Sequence, residues 1–201
     1  RLTEPGDLVY DPFLGRGTTV VEAALLDRAA TGCDVNPLSR VLTKPRLAPP
    51  TLAQVSERLR ALDWTSCDSY PEDLTVFFHP ETLNRICALR AYLRKLHAEG
   101  AMDEVDEWIE MVAVNRLTGH SPGFFSVYTL PPNQAVSIGS QRKINARREQ
   151  TPVVRDVIRL IIKKSKSLLR DCGEATRRQL AAHAARTQLL VQASSSTPEI
   201  R

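Results

Sequence analysis

The chain has no apolar run approaching the roughly 20 residues that cross a bilayer, so no membrane-spanning helix organises it. Its opening, Arg1-Leu2-Thr3-Glu4-Pro5-Gly6-Asp7, is too polar for a secretory signal and has no Met, so it reads as a piece from inside a longer, cytoplasmic chain. Cysteine is sparse: Cys33, Cys67, Cys87 and Cys172 are far apart and form no C-x-x-C pair. Two disulfides are formally possible, but reduced thiols fit the expected compartment, and the spacing argues against a zinc or other metal site. The G-x-x-x-x-G-K-[ST] run of a P-loop is missing too, which disfavours a kinase or ATPase.

What the chain has is an uneven charge distribution. The net charge is only +4, yet residues 138–186 hold 13 Lys/Arg against 4 Asp/Glu, leaving the remainder net acidic. Such asymmetry fits a nucleic-acid-facing segment on an acidic body, and equally a solvated helical face.

Along the chain, Leu8-Val9-Tyr10 is a short strand entered through a Pro5-Gly6-Asp7 turn. A helix from about Thr18 to Arg28 and a second strand, Ala30–Asp34, complete a β-α-β unit of a parallel sheet. From Thr51 the apolar period becomes helical, with Thr51 and Gln54 as a capping box and Val55, Leu59 and Leu62 on one face. Pro80 opens a helix that stops at Gly100, with His79 as its cap, and Asp103 opens another that runs towards Gly119. Ser121–Ser140 reads as a loop. An amphipathic helix follows from about Thr151, striped by Val154, Val157, Ile158, Ile161, Ile162, Leu168 and Leu169. A further helix spans about Glu174 to Arg186, and Leu189-Leu190-Val191 is strand-prone before a polar tail that includes Thr197-Pro198. Trp64 and Trp108 read as core.

The most informative stretch is Asp11-Pro12-Phe13-Leu14-Gly15-Arg16-Gly17-Thr18-Thr19. It sits at the carboxyl end of a strand and opens a helix, where open α/β sheets bind ligands. Gly15 and Gly17 permit unusual backbone angles and close ligand approach. The first N–H groups of the following helix favour a carboxylate. Asp34 ends the next strand, where a carboxylate can accept both hydroxyls of a ribose. Val20 replaces the third glycine of a dinucleotide fingerprint, which argues against NAD.

The run from Pro5 to Thr19, with Glu22 and Gly32-Cys33-Asp34-Val35-Asn36-Pro37, resembles DNA methyltransferases that act on exocyclic amino groups. The resemblance covers residues 4–42. It implies a site-specific enzyme transferring a methyl group from S-adenosylmethionine to N4 of cytosine or N6 of adenine. It further implies Asp11, Pro12, Phe13, Gly15 and Gly17 around the methionine part and Asp34 on the ribose. Thr18, Thr19 and Asn36 complete the cofactor-binding set. The acid often found near the end of the next cofactor strand is absent here, where Ala193 stands.

That family's catalytic D/N/S-P-P-aromatic tetrapeptide is also missing. Its acceptors restore nucleophilicity to the target amino group, and its aromatic ring stacks on the flipped base. Leu130-Pro131-Pro132-Asn133 has the wrong residue at both ends and reads as a rigid loop, so the catalytic residues are not assigned. Truncation at both ends, the chain stopping at Ile200-Arg201 before the catalytic element, is the expectation, and with it weak cofactor binding and no turnover in isolation.

The expected fold class is α/β, a partial Rossmann-like methyltransferase fold with a large helical insertion. Residues 1–48 form the cofactor-binding segment, 49–186 the insert, and 187–201 a return strand and tail. In such enzymes the insert often recognises the target. Arg155, Arg159, Lys163, Lys166 and Arg170, at steps of four, four, three and four, are placed on one helical face for phosphate contact. Lys164, Arg142, Lys143, Arg147 and Arg148 add local charge. Asn115, Arg116, His120, Phe124, Phe125 and Tyr128 either line a substrate cleft or pack their loop. DNA and the rest of the methyltransferase chain are the expected partners, with no membrane and no metal. Two alternatives stand: an RNA guanine-N2 methyltransferase, and a degenerate methyltransferase fold that binds nucleic acid without turnover.

Overall fold

The computed structural model describes residues 3–65, 69–131, 134 and 136–196. The readings placed on Cys67, Pro132, Asn133 and the tail residues Thr197, Pro198, Ile200 and Arg201 lie outside the described residues. In chain order the elements are β1 (Leu8–Asp11), α1 (Thr18–Leu25), β2 (Ala29–Asp34), α2 (Leu38–Leu47), α3 (Leu52–Ala61) and a 3-10 helix at Glu72–Val76. They continue with α4 (Pro80–Glu99), α5 (Glu104–Val114), α6 (Ile138–Arg147), α7 (Val157–Leu169), α8 (Glu174–Ala184) and β3 (Gln188–Val191). The chain divides into two units, one of residues 1–51 with 168–201, the other of residues 52–167.

In the first unit the three strands form a parallel sheet in the order β1-β2-β3. Leu8 pairs with Ala29 and Asp11 with Gly32, while Thr31 pairs with Gln188 and Asp34 with Val191. Parallel strands need a crossover, and α1 supplies it between β1 and β2. Leu14, Val20, Ala23, Ala24, Ala30, Leu47 and Leu180 form the buried cluster beneath. The helix α1 stops at Leu25 instead of reaching Arg28, because Asp27 turns the chain with a left-handed φ of 64°. The buried Arg28 guanidinium then donates to the Thr3 hydroxyl at 2.7 Å.

The end of α1 is held by α8. The Gln179 amide donates to the Leu25 carbonyl at 2.8 Å, and His183 Nε2 lies 2.8 Å from Asp27 Oδ1. The Gln179 bond satisfies a carbonyl that a helix terminus leaves open, and the His183 contact holds the turn that follows it. They also place α8 in the sheet-bearing unit, so the helical insert ends near Ser167 and not at 186.

The second unit is helical. Val55, Leu59, Leu83, Ile109, Met111, Val112, Phe125, Val157 and Ile161 are fully buried. His79 caps α4 by accepting the Glu81 N–H through Nδ1 at 3.3 Å, with Pro80 at the first helical position and Gly100 closing the helix at φ 63°. Asp103 caps α5 in a reciprocal capping box with Asp106. Arg58 of α3 joins both acids: it bonds Asp103 at 2.7 Å and pairs with the buried Asp106, which also accepts the Tyr92 hydroxyl at 2.8 Å. Burial opposes the charge on Asp103, but the Arg58 bond and the Asp106 N–H outweigh it and hold its pKa at about 2.

Trp108 is buried and donates to the Ser165 hydroxyl at 3.0 Å. Trp64 is not core: it is half-buried and donates to the Leu59 carbonyl at the end of α3.

Candidate functional site

Asp11 closes β1, and its Oδ1 accepts the Phe13 N–H at 3.0 Å, a local turn of the kind Asp favours. Leu14 then drives inward. It is 2% exposed, its N–H donates to the Cys33 carbonyl at 2.9 Å, and its side chain fills the space that a Cβ on Gly32 would need. The motif is thereby pinned to the sheet by its one buried apolar residue.

Gly15 and Gly17 take φ values of 49° and 74°, the left-handed region that glycine reaches without strain. Their surroundings differ. A side chain on Gly17 would run into Thr43 of α2, whereas Gly15 has only the Phe13 carbonyl at 3.6 Å. Gly17 therefore packs against α2, and Gly15 has the more open surroundings. With glycine as its N-cap, α1 has no side-chain cap and no acid in its first turn. Its first N–H groups, at Thr18 and Thr19 on an exposed face, retain their capacity for an anion.

Asp34 stands across this turn at the end of β2. Its Oδ2 accepts the Gly15 N–H at 2.8 Å and its Oδ1 accepts the Asn36 N–H at 2.9 Å. The Asn36 and Gly15 bonds keep its pKa below the ordinary carboxylate value against the opposing effect of burial, with Val35 adding to the lowering. Each oxygen has a further lone pair, so the carboxylate can still accept two ligand hydroxyls. Asn36 turns its own side chain elsewhere: Oδ1 accepts the Leu38 N–H at 3.0 Å, opening α2. Pro12 is half-buried, while Phe13 and Val35 are 80% and 71% exposed and give the turn two apolar flanks. The sequence reading had no place for α2, whose Thr43 and Arg46 back this turn: the Arg46 guanidinium donates to the Arg16 carbonyl at 3.0 Å.

Residues 1–40 match the DNA methylase family. The chain is also similar to the Type II methyltransferase M.MvaI of Kocuria varians, 30% identical over 71 residues. That match covers 35% of this chain and 14% of the relative, so the chain spans a small part of the relative's length. No solved structure gives a significant match.

Outside the matched segment, the basic face read from the sequence is smaller than expected. Arg159, Lys163 and Lys166 are exposed on α7, opposite the buried Val157, Ile161 and Ser165. Arg155 is not on that face, because it precedes the helix. Its N–H donates to the Thr82 hydroxyl at 2.7 Å, and its buried Nε has no partner among the described residues. Arg170 follows the last helical residue and pairs with Asp171 at 3.2 Å. On α6, Arg142, Lys143 and Arg147 are exposed, as is Arg148 at its end.

The aromatic loop packs instead of opening a cleft: Phe124 and Phe125 are 6% and 1% exposed. The Arg116 guanidinium lies 4.1 Å from the Phe124 ring centre, and that of Arg148 lies 3.8 Å from the Tyr128 ring centre. The Gln141 and Gln150 amides donate to the Tyr128 carbonyl at 2.9 and 3.0 Å, tying the loop to α6. Among the described residues no group of His, Cys, Asp or Glu is placed to hold a metal, and no helix is long and apolar enough to cross a membrane. Cys33, Cys87 and Cys172 are thiols.

Proposed function

We propose that this chain carries the S-adenosylmethionine-binding part of a site-specific DNA amino-methyltransferase, built on a partial Rossmann-like sheet with a helical insertion. One observation carries the reading: within the segment that matches the DNA methylase family, Asp34 and the Gly15 turn face each other across 2.8 Å at the carboxyl end of parallel strands. The donor and acceptor set fits the cofactor. An ionised Asp34 accepts ribose hydroxyls, the first turn of α1 receives the amino-acid carboxylate, and Phe13 and Val35 offer apolar contact. When bound, S-adenosylmethionine supplies an electrophilic sulfonium methyl group. The chain's own residues bind and orient it, while groups that activate the target amino nitrogen of cytosine or adenine are not identified in this sequence.

The DNA-facing role falls to the helical unit. Arg159, Lys163 and Lys166 of α7 point to phosphate contact, which is sequence-independent and salt-sensitive. The free edge of β1 supports a partner role for further methyltransferase sheet. Beside it lies an apolar groove of about 400 Å³ lined by Val9, Ala23 and Leu26. The family match names DNA, which favours this reading over the RNA guanine-N2 alternative.

Equilibrium dialysis with radiolabelled S-adenosylmethionine tests the cofactor assignment. Unlabelled S-adenosylhomocysteine displaces the label, while ATP and NAD at the same concentration do not. Equal displacement by ATP makes the turn a general nucleotide site and overturns the reading.

A further inference from the structure

The peptide joining Arg16 to Gly17 is fixed at both ends. Its carbonyl accepts the Arg46 Nη1 of α2 at 3.0 Å, and its N–H donates to the Leu14 carbonyl at 2.7 Å. A planar peptide held at oxygen and nitrogen cannot rotate, so the direction of the next N–H groups, those that open α1, is fixed with it. The neighbouring Gly17 is locked independently, since its Cα packs against Thr43 and its φ of 74° suits only glycine without strain. Thr43 is fully buried, and its hydroxyl has no hydrogen-bond partner among the described residues.

Arg46 is unusual in its own right. It is half-buried and has no acidic partner among the described residues, its guanidinium bonding instead to a main-chain carbonyl. A cation in that situation is poorly compensated. Burial, and then the nearby Arg16 charge, pull its pKa below the ordinary arginine value. An anion arriving at the first turn of α1 would offset both the uncompensated cation and the partial positive charge of the helix end.

We infer that Arg46 is the positioning residue for the amino-acid end of the cofactor site: by holding the Arg16 carbonyl it keeps the α1 N–H groups turned to the ligand carboxylate. Its charge favours that carboxylate, and its effect passes through the glycine turn. The ribose end depends on Asp34 instead, so the two ends of the ligand separate the two roles. This inference rests on the cofactor reading above.

The test is calorimetric titration of the whole chain with two ligands, S-adenosylhomocysteine and 5′-methylthioadenosine, which lacks the amino-acid group. Arg46→Met weakens S-adenosylhomocysteine by about tenfold, the size expected for a lost charge-assisted bond, and leaves 5′-methylthioadenosine within about twofold. Arg46→Lys restores part of the loss. Equal weakening of both ligands means general damage to the unit and overturns the positioning role, as does no change in either. If wild type binds neither ligand, the cofactor reading itself falls and takes this inference with it.

Discussion

Gly15 and Gly17 share a backbone conformation but not a neighbourhood, and substitution separates the two effects. Alanine at either position adopts a left-handed φ at a cost of about 1–2 kcal/mol. At Gly17 the new methyl group also meets Thr43, adding an overpacking penalty of about 1–3 kcal/mol. Urea unfolding is therefore expected to show Gly17→Ala losing about 3 kcal/mol and Gly15→Ala about 1 kcal/mol. Equal losses would contradict the assignment of Gly17 to packing against α2. The chemistry of this turn was legible in the sequence, because a G-x-G turn between strand and helix and an acid closing the next strand are short-range patterns. The Thr43 contact was not, since it depends on where α2 folds.

At the scale of elements, what the sequence hid follows from how each helix is anchored. The α2 segment carries Pro45 in its last turn, a residue that normally ends a helix, and no helix was read from the sequence there. The α6 segment has Gly139 near its start and buries only Gln141, so it lacks the apolar period by which helices are read. Amide bonds hold it: Gln141 to Tyr128, and Asn145 to the Val76 carbonyl at 2.8 Å. The start of α7 was placed too early because Thr151 and Val154 extend its pattern. Asp156 supplies the true start, its carboxylate accepting the Arg159 N–H at 3.0 Å. That shift removes Arg155 from the basic face and leaves Arg159, Lys163 and Lys166. If α7 contacts phosphates, changing these three to Gln reduces the slope of log affinity against log salt by about 0.9 per contact, close to 3 in all. Fluorescence anisotropy with a labelled duplex over a salt series reads this slope, and an unchanged slope would make α7 a solvated face.

At the scale of the whole chain, residues distant in sequence build one unit. The sheet takes β1 and β2 from the start and β3 from near the end, with α8 bonded to the end of α1. Residues 52–167 form a separate helical unit between them. The β-α-β start and the return strand were readable from short β-prone runs, and the insertion from the distance between them. Its far boundary was not, because α8 is as polar and basic as the helices of the insert, and what assigns it to the sheet is tertiary: Leu180 in the core beneath the strands and the bonds to Leu25 and Asp27. The family match covers residues 1–40, so the functional account depends on whether this unit holds its cofactor through Asp34. Calorimetric titration of wild type and Asp34→Ala with S-adenosylhomocysteine tests that directly. The account predicts binding by wild type and at least about tenfold weaker binding by the variant, the loss expected when hydrogen bonds to a charged group are removed. Equal affinity in the two proteins would contradict it.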